Sequence, residues 1–257
     1  MHVVALVNQK GGVGRTTTAV NLSACLAEKG KSVVLVDLDP QGNATMGVGC
    51  DPLRLEHTIY DVFLGKVRLD EVLLNTKIRG LQVAPANTQL YGAEVTFSAD
   101  PKRLYLLRTA LQNWRLPTPP EVVVIDPPPA LGLMTLNALL ASTALIIPVD
   151  ARYYAIAGVS ILNDTLTQLR QDLGHHLRLL GVVVTMFDKT TNIHRSILHE
   201  IQKAYGSKVF STIIGKNIAI TEAEYQHEPV NVYAPGSSGA QNYGLLADEV
   251  ITALDHA

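Results

Sequence analysis

The sequence is poor in cysteine, in aromatic residues and in charge. Cys25 and Cys50 are its only cysteines, and they are not spaced as a metal or redox motif. Cys25 reads instead as a small core residue of a helix. Trp114 is the single tryptophan. Its helical spacing from Leu104, Leu107 and Leu111 marks it as core rather than as a platform for stacking bases. Charged residues make up 17% and hydrophobic residues 47%, which excludes disorder. The formal net charge of −2 excludes a surface coated in basic residues, so nucleic-acid binding would need a local patch. No apolar run approaches the ~18 residues of a membrane span. Met1 leads into an apolar stretch without the basic segment, apolar core and small-residue site of a secretory signal, and the expected location is therefore cytoplasmic. Internal repeats and low-complexity segments are lacking as well.

What is present begins at residues 2–18: an apolar strand over 3–7, a glycine turn, and a helix start. The unalternating Val3-Val-Ala-Leu-Val7 run suits a strand buried on both faces of a parallel sheet. Gly11, Gly12 and Gly14 follow, and glycine lets successive N–H groups converge on an anion. Thr16 and Thr17 open the next helix, predicted over 19–29, whose N-terminus adds unpaired N–H groups and a positive dipole end. The whole is a phosphate cradle. A dinucleotide fingerprint is the competing reading of Gly12-Val-Gly14, with Asp37 as the ribose acid, but its third glycine would fall at Thr17. Paired hydroxyls are what a metal–phosphate site requires.

Two further blocks end strands in acids. Val33 to Val36 runs into Asp37 and Asp39, and Val122-Val-Val-Ile125 runs into Asp126, the arrangement of a strand whose terminal carboxylate holds Mg²⁺. Carboxyl ends of parallel strands are where ligands bind in open α/β sheets. Strands are also predicted over 81–86, 143–149, 179–186 and 209–214. Helices are predicted over 57–64, 69–74, 90–97, 101–114, 133–141, 155–173, 194–205, 218–225 and 245–254. This alternation gives the expected fold: a single α/β domain over residues 1–257, with a twisted, mostly parallel sheet covered by helices on both faces.

The strict pattern G-x-x-x-x-G-K-[ST] fails at Gln9 and at Arg15. What stands is Lys10-Gly-Gly-Val-Gly-Arg-Thr-Thr17, which resembles the deviant P-loop K-G-G-x-G-K-[ST]-T of the ParA/MinD superfamily of P-loop ATPases. Val36-Asp-Leu-Asp-Pro-Gln-Gly-Asn43 is similar to that family's V-D-x-D-P-Q-x-N block, and Asp126-Pro-Pro-Pro-Ala-Leu-Gly132 to its D-x-P-P-x-L-G switch. The likeness runs nearly the whole length, best over 8–18, 32–45, 122–139 and 236–249, and is nearest the small chromosome-partitioning ParA and Soj proteins.

The resemblance implies ATP or ADP with Mg²⁺ as cofactors. Residues 10–17 (Lys10, Gly11, Gly12, Val13, Gly14, Arg15, Thr16, Thr17) would hold the phosphates, and Thr16, Asp39 and Asp126 would position the metal and the attacking water. Lys10 would reach the partner's phosphates across an ATP-sandwich homodimer. Met186, Phe187 and Asp188 match the loop that lies near the adenine. The implied activity is DNA segregation by an ATPase that binds double-stranded DNA without sequence preference and is released when a ParB-type partner stimulates hydrolysis. Candidate DNA contacts are Lys189, Arg195, Lys203 and Lys216. Thr190 departs from the arginine that many relatives have, and Gly215 from their proline. Arg15 in place of the P-loop lysine is expected to depress hydrolysis, since a guanidinium is longer and more rigid than an ammonium.

Two other members of the superfamily set the alternatives. One is an ATP-dependent metabolic or reductase component, although Pro127 stands where cluster-bearing relatives have cysteine. The other is a MinD-like positioning ATPase that binds membranes through a basic C-terminal helix. Residues 245–257 carry three acids and no Lys or Arg, so a membrane partner is not expected.

Overall fold

The computed structural model describes residues 1–151, 164 and 166–256. Seven strands form one sheet in the order β3-β4-β2-β5-β1-β6-β7. They are β1 (His2–Leu6), β2 (Val33–Asp37), β3 (Leu74–Asn75), β4 (Leu81–Ala84), β5 (Val122–Asp126), β6 (Ala144–Asp150) and β7 (Arg178–Thr185). All pairings are parallel except that of the two-residue β3 with β4.

Each central strand is apolar on both faces because each face is covered. In β1, Val3 and Ala5 point into one core and Val4 and Leu6 into the other. The first core is filled from α3 (Ile59–Phe63), α5 (Leu106–Asn113), α6 (Leu133–Ala141) and α7 (Asn192–Tyr205). The second is filled from α1 (Arg15–Glu28), α8 (Ile218–Tyr225) and α10 (Ser238–Asp255). Leu22 and Leu26 of α1 are fully buried. Each such side chain contributes about 1.5–3 kcal/mol relative to exposure. Tyr243, also fully buried, places its hydroxyl 3.4 Å from Thr18 Oγ1 and so ties the C-terminal helix to the first turns of α1.

Several predicted elements are shorter than their apolar pattern. The helix expected over 101–114 is split into a 3₁₀ turn, Arg103–Tyr105, and α5. Asn137 causes the break: its amide donates to the Arg103 carbonyl at 2.8 Å and its oxygen accepts from Leu107 N–H at 3.1 Å, taking the two groups that would have bonded each other. Residues 90–97 divide likewise into a turn, Thr88–Gly92, and α4 (Ala93–Thr96). The helix expected over 69–74 is only the turn Leu69–Glu71, followed by β3.

The strand expected over 209–214 is not a strand. Phe210 N–H and Ile214 N–H still donate to the carbonyls of Val182 and Val184. Between them, Ser211 and Thr212 give their N–H groups to the Glu249 carboxylate at 2.7 and 2.8 Å, so the ladder is interrupted. The first part of the helix expected over 155–173 lies outside the described residues; residues 166–173 are helical.

Candidate nucleotide site

The site is assembled at the carboxyl edge of the sheet, where β1, β2 and β5 lie side by side. From β1 the chain passes through the glycine loop into α1, with Gly12 and Gly14 in the left-handed region at φ 70° and 72°. Gly14 stands at the N-cap of α1 and no side chain caps that end, so the first-turn N–H groups face the loop. A Cβ on Gly11 would meet nothing within 4 Å, which leaves space above the loop for an anion. The loop is also pinned from below. Thr185, at the end of β7, donates its hydroxyl to the Val13 carbonyl at 2.8 Å. Asn8 donates to Pro148 O at 2.7 Å and accepts from Lys10 N–H at 3.0 Å. Lys10 is half-buried beside the exposed Gly11 and Gly12, and its ammonium makes no ion pair among the described residues.

Asp37 and Asp126 are paired in register across β2 and β5, and both are fully buried. They do different work. Asp37 accepts from Thr45 N–H and Thr45 Oγ1, both at 2.8 Å, and from Asp39 N–H at 3.0 Å, so it fixes the loop that carries Asp39. Burial, and then the Asp126 charge, push its carboxyl up to about 7. Asp39 itself is 8% exposed and accepts from Gln41 N–H at 2.9 Å. Burial likewise pushes Asp126 up to about 6, opposed chiefly by the Arg15 guanidinium.

Arg15 is turned inward, 8% exposed. Its Nη1 donates to the Asn8 carbonyl at 3.0 Å and its Nε lies 3.4 Å from Asp126 Oδ1. Asp126, Thr16 and Asp39 offer hard oxygen donors of the kind Mg²⁺ takes. Among the described residues no cluster of three or more acids, histidines or cysteines forms a protein-only metal cage. A Mg²⁺ here would therefore need phosphate oxygens as ligands, which is how such sites commonly hold it.

Two cavities flank Thr17. One, of about 350 Å³, is lined by Gly14, Thr185, Met186, Lys216, Asn217 and Tyr243 among others. The other, of about 300 Å³, is lined by Thr16, Asn21, Asn43, Met46 and His227. Glu224 borders both and accepts a hydrogen bond from the Thr17 hydroxyl. Of the three residues expected near a base, Met186 lines the larger cavity, with φ 51°. Phe187 packs beside the His194 ring at 5.8 Å. The Asp188 carboxylate accepts from Thr190 N–H and Oγ1, with Lys216 Nζ at 3.8 Å. The Thr190 hydroxyl, more than the lysine, holds the Asp188 carboxyl below its usual range.

Lys216, Lys189 and Arg195 share this corner, Arg195 donating to the Lys189 carbonyl at 2.8 Å through Nη2. Lys203 is exposed two turns further along α7. Glu224 stands in none of the motifs. Thr185 directly precedes the Met186-Phe-Asp188 loop and Asn8 opens the matched block 8–18, but the sequence alone assigns neither a role.

The family model of an AAA domain matches residues 1–179. The sporulation initiation inhibitor protein Soj of Bacillus subtilis is 41% identical over 252 residues, covering 96% of this chain and 97% of that protein. The chromosome-partitioning ATPase Soj of Thermus thermophilus is 42% identical over 254 residues, covering 99% and 97%. Among solved structures, cobyrinic acid a,c-diamide synthase from Mycobacterium smegmatis with bound ADP and magnesium superposes with a TM-score of 0.85 at 34% identity, covering 99% of this chain and 95% of that one. With a glycine loop between β1 and α1, acids at the ends of β2 and β5, and these relatives along its whole length, the chain belongs to the ParA/MinD superfamily of P-loop ATPases, among the Soj and ParA proteins.

Proposed function

We propose that this chain is an ATP-dependent DNA-segregation ATPase, with Mg²⁺ as its metal, whose nucleotide-bound form is a sandwich homodimer that binds double-stranded DNA. The observation that carries the reading is the phosphate loop with Asp126 beside it, in a chain about two-fifths identical to partitioning proteins over nearly its full length. Backbone N–H groups of residues 11–16 bind the phosphates. Thr16 and Asp126 are the residues that would hold Mg²⁺, which would supply positive charge to the phosphoryl group. Asp39 orients the attacking water from a loop that Asp37 keeps in place. Lys10 reaches the partner copy. The base lies toward Met186 in the larger cavity, with Phe187 and Asp188 supporting that loop from behind.

Lys189, Arg195 and Lys216 form the nearer part of a DNA-binding patch and Lys203 its outer part. Each contact is weak, but a dimer doubles their number, and phosphate contacts of this kind make affinity fall with salt. A ParB-type protein stimulates hydrolysis and releases the dimer. No helix among the described residues is long and apolar enough to cross a membrane. The C-terminal helix, Ser238–Asp255, contains no Lys or Arg with which to approach anionic lipid.

The synthase at 34% identity supports a second reading, in which the same loop activates a small-molecule substrate. Binding to non-specific duplex DNA with ATP, with ADP and without nucleotide, at low and moderate salt, separates the two for this chain and for Arg15→Lys. DNA binding that requires ATP and weakens with salt is expected. ATP dimers that bind no DNA in any state would end the partitioning reading in favour of the synthase.

A further inference from the structure

The Arg15 side chain is buried. It is folded back into the sheet edge, where one end of the guanidinium is held by the Asn8 carbonyl and the other faces Asp126. Both Asp126 oxygens are shielded from solvent, and Arg15 is the ion-pair partner of Asp126 among the described residues. Nη1 makes the hydrogen bond, while Nε faces Asp126 at 3.4 Å as an ion pair without one; a lysine ammonium would be one compact charge on a flexible stem. The cationic group is thus placed at the carboxylate, and the space over Gly11 stays open.

We propose that Arg15 is a resident cation that occupies the metal-facing carboxylate of this site, so that the chain holds a nucleoside triphosphate with little dependence on Mg²⁺. The inference rests on the nucleotide-site reading above and revises one part of it, the share of phosphate neutralisation that Mg²⁺ supplies. A divalent ion seated at Asp126 would share the carboxylate with a buried guanidinium, and like charges in such a place repel with little screening. Driving Arg15 off would leave Asn8 O and the guanidinium to find other partners, a strongly unfavourable change for a buried pair. Arg15 therefore supplies positive charge that elsewhere comes from the metal. With lysine at the same position the carboxylate is released, and Mg²⁺ regains its usual contribution to affinity.

The test is equilibrium binding of a fluorescent ATP analogue to the full chain and to Arg15→Lys, in saturating Mg²⁺ and in excess EDTA. For the native chain, removal of Mg²⁺ is expected to change Kd by less than about fivefold. For Arg15→Lys it is expected to weaken binding by about tenfold or more. A native chain that loses about fivefold or more overturns the inference whether or not the variant folds. Equal Mg²⁺ dependence in the two proteins overturns it also, while leaving the nucleotide site intact. Failure of both proteins to bind the analogue under any condition overturns the nucleotide-site reading and this inference together.

Discussion

The Thr185 hydroxyl donates to the Val13 carbonyl at 2.8 Å, joining the last residue of β7 to the middle of the glycine loop across 172 positions of sequence. The bond is buried, and the Thr185 side chain also packs on Gly14 at 3.7–3.8 Å from where a Cβ would stand. Thr185→Val keeps the shape and removes the donor, leaving the Val13 carbonyl unpaired. The expected cost is about 1–3 kcal/mol of folding stability, read from urea unfolding. ATP affinity should fall with it, because the loop loses its anchor. Unchanged stability and affinity would show that the loop holds itself.

Lys10 is positioned at the rim of the loop and has no ion pair of its own among the described residues. Lys10→Ala should leave ATP binding by the monomer nearly intact and abolish the ATP-dependent dimer. Light scattering with ATP decides the matter; dimers at undiminished level would remove Lys10 from the interface.

Asp37 gives the chain a characteristic pH dependence. Burial and the Asp126 charge push its folded-state carboxyl up to about 7, well above the usual aspartate value of about 3.9, so between these pH values the native state holds a proton that the unfolded chain has given up. Its stabilising contribution is complete below the lower value and is lost as pH rises to the upper one, with a slope of at most about 1.4 kcal/mol per pH unit. Asp37→Asn, which cannot ionise, should flatten the decline in stability between about pH 4 and about pH 7, as measured by chemical unfolding at fixed ionic strength. A decline of the same steepness in the variant would assign it to other groups.

Gly181 in β7 lies beneath the Phe210 ring, with Phe210 Cε2 only 2.4 Å from the position of an added Cβ. Gly181→Ala should therefore cost about 1–3 kcal/mol through overpacking. Phe210→Leu in the same chain should recover part of the loss, and additive losses in the double variant would refute the steric account.

Much of the fold was legible because its strands are buried on both faces and therefore unmistakably apolar. The α6 boundaries, 133–141, also coincide with expectation, as do those of α8 over 218–225, where Asn217 caps the helix. Legibility failed where one side chain rerouted the backbone. Nothing in the local pattern at 101–114 announces that Asn137 will insert into the helix, and nothing at 209–214 announces Glu249. The candidate site divides the same way. Its glycines, hydroxyls and acids stand in a recognisable order, since a phosphate cradle is built from consecutive residues. Thr185 and Glu224 reach it from distant segments, and the direction in which Arg15 turns is set by Asn8 and Asp126 rather than by the loop sequence.

The interruption at Ser211 and Thr212 bears on how copies of the chain can meet. One margin of the sheet ends in the two-residue β3, and beyond β7 the only companion among the described residues is a segment whose central amides are already taken by Glu249. Among the described residues, neither margin presents a long run of unpaired backbone to a neighbour. Joining two sheets into one continuous sheet, the ordinary route to filaments and to insoluble aggregates, is thereby discouraged. The nucleotide-bound dimer proposed above would then form at the end of the molecule where the glycine loop opens, and not along either margin of the sheet.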